Sequence, residues 1–221
     1  MQVAIDGPAG AGKSTVSRRL AAELGFAFLD TGALYRAVAL AAQRQGMDPE
    51  AAGDLTGWLA TLAVEARPVQ GRFVVTLDGQ DVEPHIRNEV IGELASKLSA
   101  RPEVRAFLLG IQQAAGQRGD LVAEGRDTGT IVFPEAKVKI FLTAELDERA
   151  RRRLADLRPQ HPGMTLEQVR QDIAGRDRRD QGRSTAPLAP APDALVLDTT
   201  DLSQDQVVTR LLEIVSSVGS P

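Results

Sequence analysis

Residues 7 to 14 read Gly-Pro-Ala-Gly-Ala-Gly-Lys-Ser, directly after the short apolar run Val3-Ala4-Ile5. A glycine-rich loop between a strand and a helix can curl until several backbone N–H groups face phosphate oxygens, because no Cβ crowds the turn. Lys13 adds a mobile positive charge for the β- and γ-phosphates, and Ser14 offers its hydroxyl to Mg²⁺. The following helix, with Val16, Leu20 and Leu24 on one apolar stripe, aims its positive dipole end at the anion. This is the pattern of a nucleoside triphosphate site. By itself it does not separate a kinase from a GTPase or a motor.

Other segments carry charge suited to a second anion. In Leu29-Asp30-Thr31-Gly32-Ala33-Leu34-Tyr35-Arg36, Thr31 is expected to cap the next helix, and Arg36 to emerge from its first turn; both would hold a second phosphate. Glu124-Gly125-Arg126-Asp127 follows the run Leu121 to Ala123, at the carboxyl end of a strand, where ligands of parallel sheets bind. From Arg149 to Arg183 there are ten arginines against five acidic residues. Arginine's planar fork suits bidentate phosphate contacts. Arg176, Arg179, Asp180 and Arg183 fall about one turn apart on a helix.

Short apolar runs at Val3 to Ile5, Ala27 to Leu29, Leu121 to Ala123, Val138 to Leu142 and Leu195 to Leu197 alternate with helical patterns and must position these groups. That rhythm predicts an α/β fold built on a parallel five-stranded sheet flanked by helices. Between Val64 and Val82 the pattern alternates, with Asp78-Gly79 as a type I′ hairpin turn and Ala63 to Arg67 as a third strand of an antiparallel insertion. Helices are expected from Asn88 to Ser99 and from Glu103 to Ala115. Arg149 to Arg183 reads as a helix, a loop at Arg158 to Gly163 and a second helix starting in the Thr165–Gln168 capping box, together a lid. Ser203 and Gln206 box the last helix, whose apolar face is Val207, Val208, Leu211, Leu212 and Val215.

The chain of 221 residues has no cysteine and two distant histidines, His85 and His161, which excludes thiolate chemistry and argues against a zinc site. A net charge of −4, with one tryptophan and one tyrosine for stacking, argues against a nucleic-acid binder. No run approaches the roughly 18 apolar residues of a membrane span, and no signal-peptide pattern opens the chain, so a cytoplasmic monomer with small-molecule partners is expected.

Taken together, Asp6-Gly7-Pro8-Ala9-Gly10-Ala11-Gly12-Lys13, Asp30 to Arg36, Gly125-Arg126-Asp127, Val132-Phe133-Pro134, Lys139 to Leu142 and Arg176 to Arg183 followed by Ala186-Pro187-Leu188 closely resemble the bacterial cytidylate kinases, members of the nucleoside monophosphate kinase family. The resemblance covers essentially the whole chain. It implies one P-loop kinase domain over residues 1–221, with a monophosphate-binding region at 31–100, its β insertion near 63–83, and a helical lid at 149–183. By similarity, Gly7, Pro8, Ala9, Gly10, Ala11, Gly12, Lys13, Ser14 and Thr15 would cradle ATP, and Ser14 would ligate Mg²⁺. Thr31, Arg36 and Arg126 would bind the CMP phosphate, Ser96, Arg105, Asp127 and Arg183 would surround cytosine, and Arg176 and Asp180 would approach the ribose. Relatives often carry glycine at position 14, serine at 31 and arginine at 181, where this chain has Ser14, Thr31 and Gln181.

The implied reaction is transfer of the ATP γ-phosphoryl group to CMP or dCMP, with Lys13, Arg126, Arg176 and Arg183 as catalytic residues. It needs no general base, since the attacking phosphate oxygen is already ionised. Asp30 or Glu124 would hold Mg²⁺-bound water, and the sequence leaves the two open. The rival readings are a kinase for UMP or for a small hydroxyl-bearing metabolite, and a GTPase-like nucleotide switch. The first rival's hydroxyl-acceptor form needs a base and the switch needs an Asn-Lys-x-Asp segment; neither is evident.

Overall fold

The computed structural model describes residues 1–49, 53–159 and 161–219. At its centre β1 (Gln2–Asp6) lies between β6 (Leu121–Glu124) and β7 (Val138–Thr143), with β2 (Ala27–Asp30) beyond β6 and β8 (Leu195–Asp198) beyond β7. All of these pairings are parallel, in the register Ile5↔Glu124, Ile5↔Ile140, Asp30↔Glu124 and Leu142↔Leu197. Each apolar run singled out in the sequence is one of these strands. Parallel strands need crossovers, and the crossing helices bury both faces of the central strands, while β8 at the edge keeps Leu195 and Val196 exposed.

On one face, α1 (Lys13–Leu24) and α8 (Gln204–Gly219) pack Val16, Leu20, Val207 and Leu211 onto Val3, Ile5 and Leu142. On the other face α5 (Pro102–Gly116) and Phe133 cover Ala4, Leu29 and Ala123. The predicted capping boxes form: Gln206 N donates to Ser203 Oγ, and Gln168 N to Thr165 Oγ1, each at 3.3 Å.

The insertion is an antiparallel meander of β3 (Val64–Val69), β4 (Arg72–Leu77) and β5 (Gln80–Asp81). Asp78 and Gly79 have φ of 52° and 78°, the I′ geometry expected of them, and Gln70 and Gly71 repeat it at 45° and 75°. The meander does not stand apart. Its β4 pairs in parallel with β2 at Phe28↔Arg72, so the insertion extends the main sheet beyond β2.

Its buried side clamps α2 (Thr31–Arg44) between the meander and α4 (Glu89–Leu98), in a cluster that includes Leu34, Val38, Val75, Leu77, Ile91 and Leu98. Apolar residues cover nearly every face of α2, which is why this helix is buried along its length.

The arginine-rich stretch forms α6 (Leu146–Leu157) and α7 (Leu166–Gln181). Gln160, in the predicted loop between them, lies outside the described residues. Among the described residues no helix is long and apolar enough to cross a membrane.

Candidate active site

The carboxyl ends of the parallel strands open into a cavity of about 520 Å³. It runs from the start of α8, at Leu202, Ser203 and Gln204, past the glycine-rich loop, to the Arg105–Asp127 pair. Of the residues expected to hold the triphosphate, Ala9 to Thr15 line it, while Gly7 and Pro8 lie behind and shape the loop. Gly7, at φ 149°, could carry no side chain, since a Cβ there would sit 2.0 Å from the Leu142 carbonyl oxygen. Gly10, at φ 76°, is pressed similarly against the Arg149 backbone at 2.9 Å.

Lys13 is 6% exposed, and its Nζ donates to the Pro8 carbonyl at 2.8 Å. Burial, reinforced by Arg126, brings its pKa down to about 7. Ser14 lies close to the buried carboxylate of Glu124, which burial and Asp30 push above its usual range. Asp30 is committed elsewhere: its Oδ1 accepts from Ala33 N at 3.0 Å and its Oδ2 lies 2.7 Å from Arg87 Nη2.

This corrects the expectation that Thr31 caps α2. Asp30 is the cap, because its extended backbone (φ −87°, ψ 97°) lies just outside the helix while Thr31 is already its first residue. The Thr31 hydroxyl instead donates to the Glu124 carbonyl at 2.7 Å. Arg36 is the sixth residue of α2, in its second turn and not the expected first, because the helix already begins at Thr31; its Nη1 lies 3.8 Å from Asp30 Oδ2.

The loop after β6 is pinned by Asp6, whose carboxylate accepts from Thr128 N at 2.8 Å and Gly129 N at 2.7 Å. Two buried ion pairs follow. Asp127 pairs with Arg105, both under 8% exposed, and Arg105 also lies over the Tyr35 ring, 5.5 Å from its centroid. Asp180 bridges Arg126 Nε, at 2.9 Å, and Arg183 Nη2. Burial alone would raise Asp180's pKa, but Arg126 and Arg183 outweigh it and hold the carboxylate ionised.

Arg183 also donates to Ser99 Oγ at 2.6 Å, and Arg179 Nε donates to Ser96 Oγ at 3.2 Å. Among the described residues Arg176 makes no ion pair; burial, then the proximity of Arg126 and Arg36, brings its pKa down to about 10. A guanidinium crowded by like charge in a cavity is suited to receive an anion.

The helical pair α6 and α7 is docked over the glycine-rich loop. Arg149 Nη1 donates to the Ala9 carbonyl at 2.9 Å and pairs with Asp177, whose Oδ1 accepts from Ala9 N at 3.2 Å. Ala150, Leu157, Val169 and Ile173 bury Ala9 beneath them. Close to this clamp, Arg153 pairs with Glu89 and Arg179 with Glu93 at 2.7 Å, both carboxylates on α4.

The structure therefore gathers Thr31, Arg36, Ser96, Arg105, Arg126, Asp127, Arg176, Asp180 and Arg183 around the cavity that Lys13 and Ser14 enter from the other side. Tyr35, Ser99, Arg149 and Asp177 escaped the sequence reading. Signals existed for the first two: Tyr35 is four residues after Thr31 and Ser99 three after Ser96, so each shares a helix face with a predicted site residue.

A family model described as cytidylate kinase matches residues 3–217. A cytidylate kinase of Solibacter usitatus is 48% identical over 217 residues, covering 97% of this chain and 92% of its own length. One from Syntrophotalea carbinolica is 44% identical over 214 residues, covering 97% and 91%. Among solved structures, shikimate kinase from Bacteroides thetaiotaomicron is similar with a TM-score of 0.51 at 14% identity, covering 98% of each chain. That likeness reports the P-loop kinase fold alone.

Proposed function

Because the chain belongs to the cytidylate kinase family, we propose that its cavity holds ATP and CMP or dCMP end to end and transfers the γ-phosphoryl group between them. The observation that carries this reading is the buried Arg105–Asp127 pair at the far end of the cavity from the glycine-rich loop. An oxygen of the CMP phosphate attacks Pγ, the bond from Pγ to the bridging oxygen breaks, and ADP leaves with that electron pair, giving CDP. No proton has to be removed from the attacking oxygen, so the chemistry depends on position and charge.

Lys13 and the loop N–H groups draw the triphosphate in. Thr31, Arg36 and Arg126 hold the acceptor phosphate, for which Thr31 must turn its proton away from the Glu124 carbonyl. Arg126, Arg176 and Arg183 counter the charge spread over the transferring group, and Arg176 and Asp180 lie toward the ribose. Cytosine presents an amino group that Asp127 can accept and a ring nitrogen that a guanidinium can donate to. Uracil reverses both, setting carbonyl against carboxylate and N–H against cation, so CMP and dCMP are favoured over UMP. Ser96 and Ser99 complete the wall.

The side chains that would hold Mg²⁺ are the Ser14 hydroxyl and the nearby Glu124 carboxylate, all oxygen, as a hard cation requires. When bound together with the nucleotide, the ion would supply neutralisation of the triphosphate's negative charge. Asp30, occupied as a helix cap and by Arg87, is not the water holder.

The organisation proposed is a single kinase domain over 1–221, with residues 31–100 as the monophosphate-binding region, its β insertion at 63–83, and 149–183 as the lid that excludes water. The protein acts as a cytoplasmic monomer on nucleotides, without nucleic-acid or membrane partners. The test is ADP release from Mg²⁺-ATP with CMP, dCMP, UMP, AMP and GMP offered separately. Fast turnover with the two cytosine nucleotides alone supports the reading; equal or faster turnover with another acceptor overturns it.

A further inference from the structure

Arg87 lies outside the cavity, at the end of the segment that leads from the meander back to α4, and nothing in the reaction above uses it. Its guanidinium reaches Asp30 Oδ2 at 2.7 Å and Glu83 Oε2 at 3.8 Å, and Glu83 also meets Arg72 Nη1 at 3.4 Å. A file of alternating charge, Arg72, Glu83, Arg87, Asp30 and Arg36, thus runs from the meander to the acceptor site. Asp30 is the member with a problem. Its side chain is 8% exposed, it stands beside Glu124 across the β2–β6 pairing, and it lies next to Thr31 and Arg36, where a substrate dianion is to bind.

A second buried negative charge at that point opposes the acceptor, and it competes for Arg36. Against burial, which would raise its pKa, both arginines hold the carboxylate below its usual range, Arg87 as the nearer cation at 2.7 Å and Arg36 at 3.8 Å.

We propose that Arg87 is a positioning residue for acceptor binding: by satisfying Asp30 from behind, it leaves the Arg36 guanidinium free to take the substrate phosphate. The meander then has a function beyond extending the sheet, since it carries the counter-charge to the site. Without Arg87, Asp30 has Arg36 as its nearest cation and draws it out of the cavity. This inference rests on the acceptor-site reading above.

The experiment is steady-state kinetics with CMP and ATP on the full-length protein and its Arg87→Gln, Arg87→Lys, Asp30→Asn and Asp30→Asn/Arg87→Gln variants. Asparagine keeps the helix cap of Asp30 while removing its charge. The KM for CMP is expected to rise about tenfold in Arg87→Gln, within the range that contacting residues contribute to one another. kcat and the KM for ATP should move by less than about twofold, separating acceptor binding from general disruption. Arg87→Lys should recover most of the loss. The double variant should match Asp30→Asn, because a neutral side chain no longer competes for Arg36.

An unchanged KM for CMP in Arg87→Gln overturns the inference. So does a double variant that is worse than Asp30→Asn alone, and this comparison decides the matter even if Arg87→Gln proves too unstable to assay. Failure of the acceptor-site reading would look different: the unsubstituted protein would release no CMP-dependent ADP.

Discussion

Lys13 shows most directly how a residue's environment prepares it for a ligand. In the unfolded chain its ammonium keeps its proton to near 10.5, whereas in the folded cavity burial lowers the pKa to about 7. Between those values the unfolded chain binds the extra proton, so the ligand-free protein gains stability from this group as pH rises through that window. Triphosphate favours the charged lysine. Binding of ATP at pH 8 should therefore take up protons, approaching about one per site, as measured by calorimetry in buffers of different ionisation enthalpy. Lys13→Met should abolish the uptake; equal uptake in the variant would assign it elsewhere.

Arg126→Ala should retain its melting temperature within a few degrees while losing roughly a hundredfold or more in turnover, as follows from the proposal that this cavity-lining arginine counters the charge developing in the reaction. Lys13, Arg126 and Asp127 were legible in the sequence because each sits in a short motif at a strand end. Arg87 and Arg149 were not, because neither a single arginine between motifs nor the first of an arginine-rich run is told apart from surface charge, and their partners Asp30, Ala9 and Asp177 come from remote parts of the chain.

Among the elements, the strands were readable as runs of apolar residues between turn and helix signals, and the capping boxes at Thr165 and Ser203 placed two helix starts correctly. The start of α2 was placed one residue late because Asp30 and Thr31 are both good caps. Only the backbone angles decide between them. The turn at Gln70-Gly71 went unread for a related reason: glutamine carries little turn signal, yet it adopts a positive φ because the β3–β4 pairing requires the I′ twist. That β4 adds to the main sheet beside β2 has no local signature at all.

Where the glycine loop meets β7, Gly7→Ala should cost at least about 2 kcal/mol of stability, since a Cβ would stand 2.0 Å from the Leu142 carbonyl oxygen at a φ of 149°. A variant melting like the parent would show that the loop can relax away from β7. The docked helices α6 and α7 are held by two kinds of contact: the Arg149–Asp177 clamp on Ala9 is buried, whereas the Arg153–Glu89 and Arg179–Glu93 contacts with α4 are partly exposed and so contribute less.

Over the whole molecule, a net charge of −4 coexists with a cavity lined by Arg36, Arg126, Arg152, Arg153, Arg176 and Arg183. The cleft is suited to compact anions, and two of the acids that line it, Asp127 and Asp180, are each matched to an arginine. Raising the salt concentration should accordingly raise the KM for both nucleotides more than it lowers kcat, the signature of screened steering. The cavity joins a glycine-rich loop at one end to the buried Arg105–Asp127 pair at the other, and it is the second that the proposed function makes responsible for choosing cytosine.

The most direct measurement is the ratio of kcat/KM for CMP to that for UMP in the unsubstituted protein and in Asp127→Ala. The proposed pairing of Asp127 with the cytosine amino group predicts a large ratio that collapses in the variant, chiefly through loss on CMP. A ratio that survives the substitution would contradict it and move base recognition to another part of the cavity.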